Sequence, residues 1–198
     1  MISELQFIDR TKLWLDPIPP ALRNRAVEAL ENRNPIGFLC KASNTESLGL
    51  VAFNRNQLLA LGIYEKALVD AFTATRGNNR HWSLSELRYL FEIADRTQLR
   101  EAGEPLPYPG PFTLYRGVAG RGPARRIRSM SWTASLEKAT WFAKRFFLPD
   151  PAVYQTTVNE ADVLAYVNDR KEQEFIVTLP LSARVTRLNF KEKNNESN

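Results

Sequence analysis

Apolar residues recur at three- and four-residue spacing through the first hundred positions, and at alternate positions from about residue 111 onward. The change of period predicts a helical first half and a β-rich second half. Pro19-Pro20 open a helix through ALRNRAVEALENR, with Leu22, Ala26 and Ala29-Leu30 as its apolar stripe. It ends near Asn34-Pro35, because proline disfavours helical geometry in the residue before it. Residues 57–76 predict a second helix, with Leu58, Leu61, Tyr64, Leu68 and Phe72 on one face and Gly77 with Asn78-Asn79 as its stop. Ser83 and Glu86 have the spacing of a capping box before LRYLFEIADR.

Residues 101–111, EAGEPLPYPGP, hold four prolines and two glycines and read as a connector. Strands are then expected at 112–118, 128–134, 152–158, 162–167, 174–180 and 183–190, with one helix at 135–147 capped by Ser135. Helices and strands do not alternate as in a doubly wound sheet, so the fold class is α+β. The expected organisation is a single domain over 1–190, helical over about 1–100 and β-rich over about 111–190, with a frayed tail at 191–198.

Composition narrows the chemistry. With 43% hydrophobic and 25% charged residues, the 198-residue chain is of globular type, and no apolar stretch approaches the roughly 20 residues that span a bilayer. The opening MISELQFIDRTKLWLD has acidic residues among its apolar ones, unlike a secretory signal, so a cytoplasmic location without membrane association is expected. Delivery into another cell by specialised secretion stays open. Cys40 is the only cysteine, and IGFLCKA suggests a buried structural thiol. His81 is the only histidine, so a histidine zinc cluster and a Ser-His-Asp triad with a spare histidine are both excluded, and no metal is expected. A net charge of +5 favours anionic partners without identifying one.

Three short segments concentrate the remaining chemistry. In LYRGV, Arg116 offers a planar fork of donors for phosphate or ribose oxygens, and Gly117 permits close approach to the backbone. In SWT, Ser131 and Thr133 share one face of an extended strand and Trp132 takes the other. In EQE, Glu172 and Glu174 share a face just before the apolar FIV. Each alone has an ordinary structural explanation.

Taken together, LYRG, SMSWTASLEKATWFAKRF and DVLAYVNDRKEQEFIV resemble the ADP-ribosyltransferase superfamily, in the branch with an arginine, a serine-containing strand and a glutamate pair. The resemblance covers roughly residues 112–180, and Trp132 departs from the commoner serine-threonine-serine form. It implies N-terminal helices followed by a split, mainly antiparallel two-sheet β core with an intervening helix. It also implies NAD as cosubstrate, with nicotinamide released and ADP-ribose passed to a macromolecular acceptor. On this reading Glu174 stabilises charge on the ribose, Ser131 orients Glu174, Arg116 grips the phosphate or adenosine-ribose side, Gly117 reads the nicotinamide amide, and Glu172 serves the acceptor. Thr133 joins the cofactor-binding set. Trp132 either packs against the sheet, as its parity favours, or stacks on nicotinamide.

The glutamate pair leans toward a protein arginine as acceptor. Arg121, Arg125, Arg126, Arg128, Arg170 and Lys171, with Tyr166 as a stacking ring, keep an RNA or DNA base in view. A catalytically weak NAD-binding interaction module is a third reading. A toxin or antiphage effector, neutralised by an antitoxin or immunity protein, would suit such an enzyme.

Overall fold

The computed structural model describes residues 10–74, 79, 81–122 and 125–188. The chain divides into two compact units, Met1–Gly103 and Glu104–Asn198, and the division falls inside the proline-rich connector.

The first unit is helical: α1 Pro20–Glu31, α2 Pro35–Leu39, α3 Ser47–Phe53, α4 Arg55–Ala60, α5 Tyr64–Ala74, α6 Leu84–Glu92 and α7 Arg96–Ala102. Pro20 starts α1, and Ala26, Val27 and Leu30 form its buried stripe. The helix expected over 57–76 is broken in two. Gly62 adopts a left-handed φ of 67° after Leu61, and α5 restarts at Tyr64. Leu58, Leu61, Tyr64, Leu68 and Phe72 are nevertheless all buried, so the apolar spacing survives the break. The capping box forms, with Glu86 N–H donating to Ser83 Oγ at 3.1 Å and Ser83 N–H donating to Glu86 Oε2 at 2.6 Å. Cys40 corrects the sequence expectation: it caps the short α2 and its side chain is exposed. The stop at Gly77 and Asn78 and the 191–198 tail lie outside the described residues.

The second unit is built on β1 Phe112–Val118, β2 Ser131–Thr133, β3 Ala152–Val158, β4 Val163–Val167, β5 Glu174–Val177 and β6 Val185–Leu188. The helix α8, Leu136–Lys144, follows β2 and is capped by Ser135 Oγ, which accepts from Lys138 N–H. All pairings are antiparallel, in the order β4-β5-β2-β1-β3-β6. The α+β class therefore holds, but the strands form one six-stranded sheet where a split pair was expected. The physical reason is a single rung. β1 pairs with β3 along seven residues, whereas β1 meets β2 only at Tyr115 and Thr133.

One face of this sheet is a hydrophobic core of Phe112, Leu114, Trp132, Tyr166, Phe175 and their neighbours. The other carries α8, which lies so close to β1 that a Cβ on Gly117 would stand 1.8 Å from the Ala139 carbonyl oxygen. Glycine at 117 is required by this helix–strand contact. Among the described residues no helix is long and apolar enough to cross a membrane.

Candidate functional site

The β2–β5 register places Thr133 opposite Glu174 and Ser131 opposite Ile176, so two hydroxyls and a carboxylate share one face. Ser131 Oγ donates to Glu174 Oε1 at 2.5 Å. Burial pushes the Glu174 carboxyl up to about 7, with repulsion from Glu172 acting in the same direction. The Ser131 hydrogen bond and the charges of Arg170 and Arg116 oppose that rise. The result is a carboxyl that titrates near neutral pH, with its side chain 12% exposed on the sheet surface.

The turn ahead of β5 presents the second glutamate. Asn168 organises it: its carbonyl accepts from Lys171 N–H at 2.8 Å and its Oδ1 accepts from Gln173 N–H at 3.0 Å. Lys171 and Gln173 are both left-handed, with φ of 55° and 47°. Such a backbone costs a non-glycine residue about 1–2 kcal/mol, and the surrounding bonds must hold it. Thr133 supplies part of that hold, since its hydroxyl donates to the Glu172 carbonyl at 2.6 Å. Ala134 N–H adds a bond to the Gln173 carbonyl at 3.2 Å. Thr133 is itself buried, so its hydroxyl braces the glutamate turn instead of facing a ligand as expected.

Between the two carboxylates lies Arg170. Its Nη2 donates to Glu172 Oε2 at 2.9 Å and stands 3.5 Å from Glu174 Oε2. Sequence reasoning counted Arg170 among residues contacting the acceptor; the structure shows it joined to the glutamates themselves. The alternation Arg170-x-Glu172-x-Glu174 was the available signal.

Arg116 approaches from the neighbouring strand. It follows Phe112 and Leu114 at alternate positions of β1 and is likewise buried, only 5% exposed. Its Nε donates to the Arg126 carbonyl at 2.9 Å and its Nη1 to the Ser131 carbonyl at 2.5 Å. The guanidinium thus ties β1 to β2 just where their backbone pairing stops. Nη2 is buried without a hydrogen-bond partner. Burial lowers the Arg116 pKa to about 10 while the charge of Glu174 supports its ionised form, so it remains a cation at neutral pH.

Several expected site residues do other work. Trp132 is 2% exposed and its indole N–H donates to the Ser129 carbonyl at 2.7 Å, which corrects the nicotinamide-stacking alternative and bears out its strand parity. Tyr166 is buried too, its ring 4.8 Å from that of Phe175, so it has no free face for a base. Arg128 donates to the carbonyls of Pro180, Leu181 and Ala183, and Arg125 is ion-paired with Asp150. Those two arginines hold loops together rather than forming a rim for a phosphate backbone. Arg126 contributes its carbonyl to Arg116, while Arg121 and Lys171 are exposed. Asn168, which sequence reasoning missed, opens the polar run NDRKEQE that follows the apolar strand VLAYV, a common place for a turn.

Among the described residues, no three His, Cys, Asp or Glu side chains gather as metal ligands would. No family model, curated protein or solved structure matches the chain.

Proposed function

We propose that this protein is an NAD-dependent mono-ADP-ribosyltransferase, which cleaves the bond between nicotinamide and ribose and passes ADP-ribose to a macromolecular acceptor. One observation carries the reading: Ser131, Glu174, Arg170 and Glu172 form a continuous network on β2, β5 and the turn between β4 and β5. Breaking the nicotinamide bond builds positive charge on the ribose, and a fixed carboxylate beside it lowers the barrier. Glu174 has the burial and the orienting hydroxyl for that task. Glu172, more open at 22% exposure, serves as base for the incoming nucleophile.

NAD as cosubstrate is consistent with the donors present. Nη2 of Arg116 is buried without a hydrogen-bond partner, so a phosphate or ribose oxygen reaches it only once the groups covering it move. Ser131 and Glu174 together suit a ribose hydroxyl. The acceptor reading favours a protein arginine over a nucleobase. A guanidinium already fits against both carboxylates, whereas Tyr166, Arg125 and Arg128 are engaged elsewhere. Such an activity suits a toxin or antiphage effector restrained by an antitoxin or immunity protein.

The test is nicotinamide release from NAD by purified protein. Glu174→Gln keeps the side-chain size and removes the charge, and release should fall by about 100- to 1000-fold. Release at the native rate would overturn the assignment. With a small guanidine such as agmatine as acceptor, Glu172→Gln should reduce transfer more than it reduces NAD hydrolysis; equal losses would remove Glu172 from the acceptor step.

A further inference from the structure

We propose that Arg170 is itself an acceptor, so that the protein ADP-ribosylates its own glutamate turn when no other guanidine is offered. The inference rests on the NAD-cleaving reading and goes beyond it by assigning a modification site.

The geometry is that of a nucleophile already seated. Arg170 Nη2 hydrogen-bonds to the proposed base, Glu172 Oε2, at 2.9 Å. The same nitrogen lies 3.5 Å from Oε2 of Glu174, the carboxylate proposed to sit beside the reacting ribose carbon. A group within hydrogen-bond reach of the base and next to the reaction centre meets the positional requirement for attack. The turn keeps it there. Arg170 N–H donates to Asp169 Oδ1 at 2.7 Å, and the left-handed Lys171 and Gln173 fix the path of the backbone on either side of Glu172. With its side chain 41% exposed, Arg170 also has room on its outer side for an attached group.

In the reaction the bond from the ribose anomeric carbon to the nicotinamide nitrogen breaks, and its electron pair leaves with neutral nicotinamide. Nη2 of Arg170 forms the new bond to that carbon. One guanidinium proton passes along the existing hydrogen bond to Glu172 and then to solvent. The arginine keeps its positive charge, and no oxidant or further reactant is consumed.

The experiment incubates the full chain with NAD alone, measures nicotinamide released, and locates ADP-ribose by intact mass and peptide mapping. The expected result is one ADP-ribosyl group on Arg170. Label per nicotinamide released should fall about tenfold or more in both Arg170→Lys and Arg170→Gln, and added agmatine should lower it in the native protein. Nicotinamide release with an unlabelled chain, or label on another residue that persists in both variants, overturns the proposal and leaves the NAD reading intact. No nicotinamide release under any of these conditions overturns both.

Discussion

The two faces of the β2–β5 pair are made by adjacent residues and have opposite characters. On one side Trp132 and Phe175 pack with Phe112 and Leu114 in a core of rings and aliphatic groups. On the other, Ser131 donates to Glu174 and Thr133 donates to the carbonyl of Glu172 in the glutamate turn. A strand of three residues therefore contributes to stability with its middle residue and to the candidate chemistry with its outer two. Arg116 breaks the separation, because it is a charge on the apolar parity of β1. It is tolerated there because two backbone carbonyls take its donors and Glu174 is near.

Trp132→Ala tests the division of labour between the two faces most severely. If the ring serves only the core, its loss should cost about 3–5 kcal/mol in chemical denaturation while the KM for NAD of the folded fraction stays unchanged. A KM raised at conditions where the variant is fully folded would return the ring to the ligand site.

Glu174→Gln probes the polar face next, through stability in place of activity. The Glu174 carboxyl titrates at about 7 in the fold against an ordinary value of 4.5, so the folded chain holds this proton more tightly than the unfolded chain does. Native stability from this group is complete below pH 4.5 and is lost as pH rises to about 7. The glutamine variant does not ionise and escapes that loss. Its gain over the native protein should grow across this window to about 1–3 kcal/mol in denaturant midpoints taken at several pH values. A pH-independent difference would mean that Glu174 is not held in a desolvated setting.

Thr133→Val is the mildest of the three. It keeps the shape and removes the hydroxyl from the Glu172 carbonyl and Ser135 N–H, at a cost of about 1–2 kcal/mol. Because Thr133 braces the turn carrying Glu172, transfer to agmatine should fall more than NAD hydrolysis. A larger loss in NAD binding would place the hydroxyl against the ligand.

Much of this arrangement was legible in the residues because it follows from parity. The bounds of β1 and β3, the capping box, and the opposite directions of Trp132 and Ser131 all rest on local periodicity, and each appears in the structure. What escaped depends on contacts distant in sequence. Nothing local distinguishes Arg125 and Arg128, bound to Asp150 and to the 180–183 carbonyls, from arginines free to meet a phosphate. Cys40 lies in an apolar run, yet it ends a five-residue helix and faces outward. The apolar partner of Tyr166, Phe175, is on a different strand. The burial of Arg116 did have a local sign, since it occupies the place of an apolar residue in the alternation Phe112, Leu114, Arg116, Val118.

The single rung between Tyr115 and Thr133 makes the sheet a laminate of two three-stranded plies. Among the described residues, the backbone ladder joins β1 to β2 at that one rung, and the Arg116 guanidinium adds a tie to the Ser131 carbonyl beside it. The arginine is then a mechanical fastener as well as a charge. Lysine, with one nitrogen in place of a fork, could not clasp the carbonyls of Arg126 and Ser131 in the same way and still leave a planar donor free.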